Sequence, residues 1–214
     1  YGIYPNVLNS VEIENQLRSN AMTIEPKRIA LLHCVGSRDE KVRNFHCSKV
    51  CCISAVKQAI ELKERYPQAE IICLYMDLRM YDNGFEELYR EAQVKHGIRF
   101  IRGRLSECGM DIDKKLILKI QDTLVGLPMR ITVDQLVLMV GKEPARIPNH
   151  VSTIEIAKAS HGFLQPIDNH LSPNNTTQPG IFCCGTTTGP KTIQETISDA
   201  RSAALSIFDY LNKK

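Results

Sequence analysis

The order of strand-like and helix-like stretches predicts an α/β fold built on a parallel sheet. Between residues 28 and 102 these stretches alternate as β-α-β-α-β, which is typical of parallel strands joined by helical crossovers. After residue 115 the pattern changes to consecutive strands joined by a turn. A Rossmann-like parallel βαβαβ sheet with an antiparallel β-meander beside it is therefore expected.

The first half of the chain supplies the parallel part. The predicted elements are a short helix at 11–17, a strand at 28–33, a helix at 48–65, a strand at 70–76, a helix at 85–95 and a strand at 98–102. Pro67 ends the helix at 48–65, and Gly97 caps the next helix. In the helix at 48–65, Ile53, Val56 and Ile60 share one stripe, so we expect them to face the sheet.

The second half supplies the meander and a long helix. Residues 115–121 alternate between apolar and polar, and residues 130–140 are predicted as one further strand. Residues 141–180 are rich in Pro, Asn, Gly and Thr and are expected mostly to connect. A short buried strand at 180–185 should lead into a helix at 191–211. The expected inward face of that helix consists of Ile193, Ile197, Ala200, Ala204, Ile207 and Leu211.

Composition excludes several classes of protein. The 214 residues include 43% hydrophobic and 24% charged residues, which argues against disorder and low-complexity repeats. A net charge of +3 gives no reason to expect a nucleic-acid partner, and no apolar run is long enough to span a membrane. The chain begins with Tyr1 and carries no export sequence, so we expect a cytoplasmic location and either a processed terminus or a piece of a longer protein.

Eight cysteines are the unusual feature of the composition. Four lie close together after the first parallel strand, namely Cys34, Cys47, Cys51 and Cys52. Four thiolates there could bind a [4Fe–4S] cluster or zinc, or the residues could simply be small and buried. Adjacent cysteines seldom both bind one tetrahedral zinc ion, whereas the separate iron corners of a cubane accept neighbouring ligands. The spacing therefore favours iron–sulfur over zinc.

The same position argues against a nucleotide at this end of the sheet. A dinucleotide-binding strand is followed by a glycine-rich turn that lets the backbone approach a pyrophosphate. Here residues 34–39 contain one glycine, Gly36, among a cysteine and polar residues. We interpret this as replacement of the nucleotide loop by metal ligands, and we do not expect NAD(P) to bind there.

The other four cysteines are less informative. Cys73 lies inside a strand and is expected to be buried, and Cys108 is either buried or at the surface. Cys183 and Cys184 are adjacent, so at least one should face the core. A redox pair between them would need a strained vicinal disulfide.

Two further features could contact a negatively charged cofactor. The glycine turn from Gly185 leads into a helix with Pro190 in its first turn, and the free amides of such a turn suit an anionic ligand, although most such turns only connect. Lys57 lies beyond the cysteine pair at the border of the buried helix face. It could donate to a reduced flavin, or it could be a solvated helix lysine.

Together these residues resemble the A subunit of heterodisulfide reductase and its relatives, which include a component of the quinone-interacting oxidoreductase of sulfate reducers. The specific part is the cysteine motif of residues 34–39 and 47–52 with Lys57. Weaker matches along the chain are residues 1–7, 77–79, 84–89, 100–104 and 189–193. The resemblance covers nearly the whole chain.

The resemblance implies an iron–sulfur flavoprotein with a thioredoxin-reductase-like core of two dinucleotide-binding domains. It implies that Cys34, Cys47, Cys51 and Cys52 hold a [4Fe–4S] cluster and that Lys57 lies near flavin N5. Residues that would contact FAD are Gly185, Thr186, Pro190, Lys191, Thr192 and Ile193. Residues 133–144 would form the strand and turn that lead back to the FAD domain.

The chain also departs from the family. It lacks the G-x-G-x-x-G loop that opens the family's FAD domain and the ferredoxin-type cysteine runs of full-length members. Thr186 stands where many flavoprotein reductases have an acidic residue. The expected domains are a connecting segment at 1–27, a degenerate NAD(P)-type domain carrying the cysteines at 28–144, and the C-terminal half of an FAD domain at 145–214. The FAD site would be incomplete in this chain.

The function expected from the resemblance is electron transfer between FAD and the cluster, in an oxidoreductase component that works with other subunits. The missing FAD half is a further expected partner. Two alternatives from other classes stay open at this point. One is a zinc-stabilised interaction module without a redox role, and the other is an NAD(P)-dependent flavoprotein reductase.

Overall fold

We describe a computed structural model of the chain over residues 1–19, 25–145 and 155–212. Two compact units divide the chain. Unit 1 consists of residues 1–36 and 51–141, and unit 2 consists of residues 37–50 and 142–214. The three domains expected from the resemblance stay a prediction, and residues 146–154 of the expected connecting stretch lie outside the described residues.

The described part of unit 1 forms one seven-stranded sheet with three helices. Its elements are β1 (Val7–Asn9), α1 (Ser10–Ser19), β2 (Arg28–Val35), α2 (Cys51–Arg65), β3 (Glu70–Tyr75), α3 (Phe85–Val94), β4 (Arg99–Met110), β5 (Leu116–Asp122), β6 (Pro128–Val133) and β7 (Gln135–Val140). The strand order is β1-β7-β2-β3-β4-β5-β6. The pairs β1–β7, β7–β2, β2–β3 and β3–β4 are parallel. The pairs β4–β5 and β5–β6 are antiparallel. The predicted parallel sheet with an antiparallel meander is confirmed.

The two faces of the sheet bury different clusters. Alternate residues of β2, such as Ile29 and Leu31, pack on the side of α2, whereas Ala30 lies in the cluster that includes Leu116 of β5. Both faces of the parallel strands are therefore covered, which explains their continuous apolar runs. Each fully buried Leu or Ile contributes about 1.5–3 kcal/mol to stability.

The buried face of α2 differs from the predicted stripe. Val56 is fully buried, but Ile53 and Ile60 are only half-buried. Ala55 and Ala59, with no exposed area, lie on the buried face instead. Small side chains allow the helix to approach the strands closely. Which face of α2 is buried therefore depends on packing against the sheet and not only on the spacing of apolar residues in the sequence.

The N-terminal residues belong to this sheet. The predicted short helix is confirmed as α1, which begins with a reciprocal cap: the Glu12 amide donates to Asn9 Oδ1 at 2.9 Å, and the Asn9 amide donates to Glu12 Oε2 at 2.8 Å. β1 pairs with β7 through Val7 and Leu136. Residues 1–27, expected as a connecting segment, thus contribute a strand and a helix to unit 1.

The prediction of a single strand over residues 130–140 is wrong. β6 ends at Val133 beside β5, and β7 begins at Gln135 beside β2. The residue between them, Asp134, accepts hydrogen bonds at 2.8 Å from the amides of Lys27 and Arg28. These bonds fix the chain at the point where it leaves the meander and enters the parallel sheet.

In its described residues, unit 2 contains a 3-10 turn (Gly185–Thr187) and one helix, α4 (Ile193–Asn212). The predicted helix is confirmed, but the predicted strand at 180–185 is wrong. Within it only Phe182 forms a bridge, with Asn175, and Gly180 and Gly185 have positive φ angles of 82° and 65°. Regular extension is interrupted because both glycines adopt a left-handed backbone that strands do not use.

The apolar face of α4 is exposed rather than buried. Ile193 is 82% exposed and Ile197 50%, and among the described residues of α4 only Ala203 is buried. The expectation that this face points inward is therefore wrong for the described part of the chain. Within residues 1–19, 25–145 and 155–212, no helix is both long and apolar enough to cross a bilayer.

The sheet makes one testable prediction at β4. A Cβ atom on Gly103 would lie 2.2 Å from the backbone oxygen of Gln121 on β5, whereas a Cβ on Gly109 of the same strand has no atom within 4 Å. Gly103→Ala should destabilise the chain by about 1–3 kcal/mol because the strands must separate. Gly109→Ala should leave the midpoint of urea unfolding nearly unchanged. Equal midpoints for the two variants would contradict the close approach.

Candidate functional site

Three of the predicted ligands meet in unit 1. Cys34, Cys51 and Cys52 are 7%, 3% and 2% exposed, and all three belong to the buried cluster on the α2 side of the sheet. The Cys52 thiol donates to the Asp77 carbonyl at 3.7 Å, and the thiols of Cys34 and Cys52 are close enough to Cys51 to lower its pKa. The structure therefore brings together three sulfur donors that are separated by up to eighteen positions in the sequence.

A bulge at the end of β2 positions the first of them. The pairing of β2 with β7 shifts register between Leu32 and Val35, and Cys34 has a φ angle of 60°. A left-handed backbone is uncommon for a residue with a side chain. In a regular strand, neighbouring residues point to opposite faces. The bulge breaks this alternation, and Cys34 joins the same face as Leu31 and the start of α2.

The start of α2 positions the other two. Cys51 and Cys52 are the first two residues of the helix, where backbone amides have no partner within the helix and the dipole favours negative charge. Hydrogen bonds from Cys34 and then Cys52 hold the pKa of Cys51 well below its usual range, although burial opposes this. The bond to Cys51, together with burial, raises the pKa of Cys52. The site thus favours one thiolate at Cys51.

Cys47, the fourth predicted ligand, lies in unit 2, where its sulfur accepts a hydrogen bond from the Lys49 amide at 3.3 Å. Its membership of the ligand set stays a prediction. Among the described residues, no three or more His, Cys, Asp or Glu side chains are arranged around one point as for a single metal ion.

The three thiols nevertheless fit an iron–sulfur cluster in donor chemistry. They are buried together, are all sulfur, and stand at a helix N-terminus that stabilises negative charge. Cys34, Cys51 and Cys52 would hold the cluster from the side of unit 1.

A histidine that directly precedes Cys34 in the sequence borders the thiols. His33 of β2 is 4% exposed and interacts electrostatically with Cys51. Burial lowers the pKa of His33 to about 4, and the neighbouring Cys51 only partly offsets this, so the ring is neutral at pH 7. Its ring centroid lies 6.4 Å from that of Tyr75 on β3. From the sequence, His33 could support the neighbouring ligands or be solvated, and its burial excludes the solvated alternative.

Lys57 is an exposed lysine in this structure. Its side chain is 69% exposed, and its ammonium lies 3.8 Å from Glu61 one helical turn later. An ion pair with this exposure contributes little to stability. The side chain is accessible to a ligand, and its role beside a flavin stays a prediction.

The predicted cofactor turn borders a cavity in unit 2. The cavity measures about 330 Å³ and is lined partly by Thr186, Thr187 and Pro190 of the turn and by two lysines, Lys142 and Lys158. The other lining residues are Glu143, Pro144, Ala145, Gly162, Phe163 and Leu164. Two lysines among apolar walls suit a ligand with an anionic part and a flat apolar part.

The remaining predicted residues of the turn have structural partners. Thr192 caps α4, since its hydroxyl accepts from the Glu195 amide at 3.2 Å and its own amide donates to Glu195 at 2.8 Å. Lys191 lies 2.6 Å from both Thr188 and Asp199, and Ile193 is exposed. Their assignment to FAD stays a prediction.

Asp199 of α4 holds this turn and was not singled out from the sequence. Its carboxylate accepts from the Gly185 amide at 2.5 Å, from the Lys191 ammonium at 2.6 Å and from Asn174 Nδ2 at 2.9 Å. Burial alone would raise its pKa, but the bonds from Lys191, Gly185 and Asn174 outweigh burial, and the pKa lies below its usual value. A Lys-x7-Asp spacing into a helix was the only sequence pattern that could have indicated it.

The other cysteines occupy ordinary positions. Cys73 has no exposed area, as predicted for a core residue, and burial raises the pKa of its thiol. Cys183 is buried and Cys184 exposed, so the expectation that at least one faces the core is confirmed. Cys108 is half-buried within β4 rather than after a strand.

Comparison with known proteins identifies relatives along nearly the whole chain. The A subunit of the H(2):CoB-CoM heterodisulfide,ferredoxin reductase of Methanothermobacter thermautotrophicus is 36% identical over 215 residues, which is 95% of this chain and 33% of the relative. In Methanopyrus kandleri, the second iron-sulfur A subunit of CoB–CoM heterodisulfide reductase is 38% identical over 216 residues, again 95% of this chain and 33% of the relative. The chain is a homologue of part of the A subunit of heterodisulfide reductase. It spans about a third of the length of these relatives, and no protein-family profile matches it.

Solved structures confirm the predicted thioredoxin-reductase-like fold. Thioredoxin reductase of Lactococcus lactis superposes with a TM-score of 0.63 at 20% identity, over 100% of this chain and 60% of that structure. The HOCl-induced flavoprotein disulfide reductase RclA of Escherichia coli gives 0.58 at 16% identity, over 94% of this chain and 39% of that structure. At these identities the likeness concerns the fold alone.

Removal of the Asp199 charge should loosen the turn. Asp199→Asn is expected to lower the free energy of unfolding at pH 7 by about 1–2 kcal/mol, because Lys191 loses its partner in a half-buried ion pair. A carboxylate with a lowered folded pKa stabilises above its unfolded pKa of about 3.9 and loses this effect as the pH falls further. Below about pH 4, the free energy of unfolding of the variant should therefore fall less steeply with decreasing pH than that of wild type. Urea unfolding at a series of pH values measures this difference.

Asp209→Asn, at an exposed position of the same helix, is the matched control and should change stability by less than about 0.5 kcal/mol. Equal effects at both positions would contradict the anchoring role of Asp199.

Proposed function

We propose that the chain is the part of a heterodisulfide-reductase-like oxidoreductase that passes electrons between FAD and a [4Fe–4S] cluster. The observation that carries this proposal is the meeting of Cys34, Cys51 and Cys52 at the N-terminus of α2. In a dinucleotide-binding unit the same place after the first strand of a βαβ unit binds a pyrophosphate. Here thiols stand there, so the position suits a metal cluster rather than a nucleotide.

The residues of unit 1 would tune the cluster by burial and charge. When bound, the cluster would supply one-electron chemistry through its iron atoms. The amides at the start of α2 stabilise negative charge on the thiolates of Cys51 and Cys52. Burial of the thiols excludes water from the sulfur atoms. This would limit replacement of the cysteine ligands by water and would influence the reduction potential of the cluster. Cys47 is proposed as the fourth ligand.

The flavin site is proposed for the turn of unit 2. Gly185, Thr186 and Pro190 lie at or next to the cavity with Lys142 and Lys158, and cationic side chains would favour the anionic parts of FAD. Lys191, Thr192 and Ile193 continue the turn into α4. Lys57 is proposed to stabilise the reduced flavin. FAD binding is expected only in an assembly that also supplies the G-x-G-x-x-G half of the FAD domain.

The proposed partners are that missing half and other subunits of a heterodisulfide-reductase-like or quinone-interacting complex. The exposed apolar face of α4 fits the first of these, because 40% of the matched thioredoxin reductase structure has no counterpart in this chain. A cytoplasmic location is proposed on the same family grounds.

The cluster can be tested on anaerobically purified or reconstituted protein. Wild type should contain iron and sulfide in equal amounts and show the EPR signal of a reduced [4Fe–4S] cluster. Cys51→Ser should lose bound iron by roughly tenfold or more, since a ligand is removed. Cys108→Ser, a half-buried thiol outside the site, should keep it.

Two outcomes would favour the alternatives. Colourless protein with one equivalent of zinc would favour a zinc-stabilised interaction module. Tight NADH binding that survives both Cys34→Ser and Cys51→Ser would favour an NAD(P)-dependent reductase.

Lys57 can be tested in an assembly that holds FAD. Lys57→Ala should lower the two-electron flavin potential by about 20–30 mV, on the order of 1 kcal/mol, because a positive charge near the reduced flavin is lost. Lys95→Ala is the matched control, since Lys95 is also exposed and paired with a glutamate one turn away on a helix of unit 1. An unchanged potential in Lys57→Ala would identify Lys57 as a solvated lysine.

A further inference from the structure

β2 ends in a buried histidine that the described part of the chain leaves without a polar partner. His33 is 4% exposed, and neither Nδ1 nor Nε2 has a hydrogen-bond partner within residues 1–19, 25–145 and 155–212. A neutral imidazole carries one N–H donor and one acceptor. Leaving a buried donor unsatisfied costs about 1–3 kcal/mol, and native proteins rarely keep such a cost without a purpose.

The side chain faces the thiols. Alternation along β2 places His33 on the same side as Ile29 and Leu31, which pack in the cluster containing Cys51 and Cys52. Its ring lies 6.4 Å from Tyr75, which belongs to the same face of β3, and it interacts electrostatically with Cys51. The register shift between Leu32 and Val35 includes both His33 and Cys34, and the left-handed backbone at Cys34 brings its side chain to this side as well.

We propose that His33 donates its ring N–H to a sulfur atom of the cluster held by Cys34, Cys51 and Cys52, and thereby raises the reduction potential of that cluster. This inference rests on the proposed function. Reduction adds negative charge to the sulfur atoms, so an N–H···S hydrogen bond is stronger in the reduced state than in the oxidised state. His33 acts through the cluster sulfur and is not itself an iron ligand.

The proposal also accounts for the local sequence. An apolar residue at position 33 would fill the same space without leaving two unsatisfied nitrogens inside the sheet. Tyr75 contacts the ring only through its aromatic face or edge, at an interplanar angle of 53°. A cluster sulfur beside Cys51 would supply the hydrogen bond that compensates for burial of the ring.

The test is a redox titration of the anaerobically reconstituted chain, followed by EPR. His33→Leu should lower the equilibrium constant for one-electron reduction about tenfold, equal to 59 mV. His33→Gln keeps an N–H donor and should recover part of this loss. His96→Leu, the same change at a largely buried histidine beside Glu91 on α3, should leave the potential unchanged.

Pulsed EPR on wild type with 15N-labelled histidine provides a second measurement that needs no variant to fold. A weak 15N coupling, as expected for a hydrogen bond through sulfur, supports the proposal, and a strong coupling from direct ligation overturns it. A cluster that is present but keeps its potential in His33→Leu overturns the role of His33 and leaves the proposed function intact. A wild-type chain that binds no cluster overturns the proposed function itself.

Discussion

The left-handed backbone at Cys34 is the constraint on which the site depends. A regular β2 would direct Cys34 away from α2, because adjacent strand residues point to opposite faces. The register shift against β7 lets His33 and Cys34 face the same side, and there they meet the first turn of α2. The strand on the other side of β2, β3, supplies Tyr75 next to the ring. A local irregularity in one strand thus creates a pocket of sulfur atoms.

The N-terminus of α2 lies where a dinucleotide-binding fold binds a phosphate, but here it carries thiols. A nucleotide-binding strand–turn–helix presents free amides to a phosphate. Here Cys51 and Cys52 are the first two residues of the helix. The free amides and the helix dipole therefore stabilise negative charge on a thiolate instead of a phosphate. The hydrogen bonds from neighbouring thiols concentrate this charge at Cys51. The physical principle is unchanged, and only the anionic group differs.

The turn of unit 2 depends on one half-buried carboxylate, that of Asp199. Asp199 links the turn at Gly185, the side chain of Lys191 and the loop residue Asn174, while the rest of the surrounding chain has little regular structure. The apolar face of α4 contributes little to this anchoring, because it is exposed. The helix is held at its first turns by polar bonds, and its apolar residues are exposed.

The class of fold, most elements of unit 1 and the likeness to the A subunit of heterodisulfide reductase follow from the sequence alone, as does the prediction of a cysteine ligand set. Apolar runs, helical periodicity and the spacing of Cys34, Cys51 and Cys52 are local patterns that can be recognised in the sequence without a structure. The tertiary structure was needed to show that residues 130–140 divide at Asp134, that the face of α4 is exposed, and that His33 and Asp199 belong to the sites. These features depend on which distant backbone amide or side chain lies opposite, and no period in the sequence records that pairing.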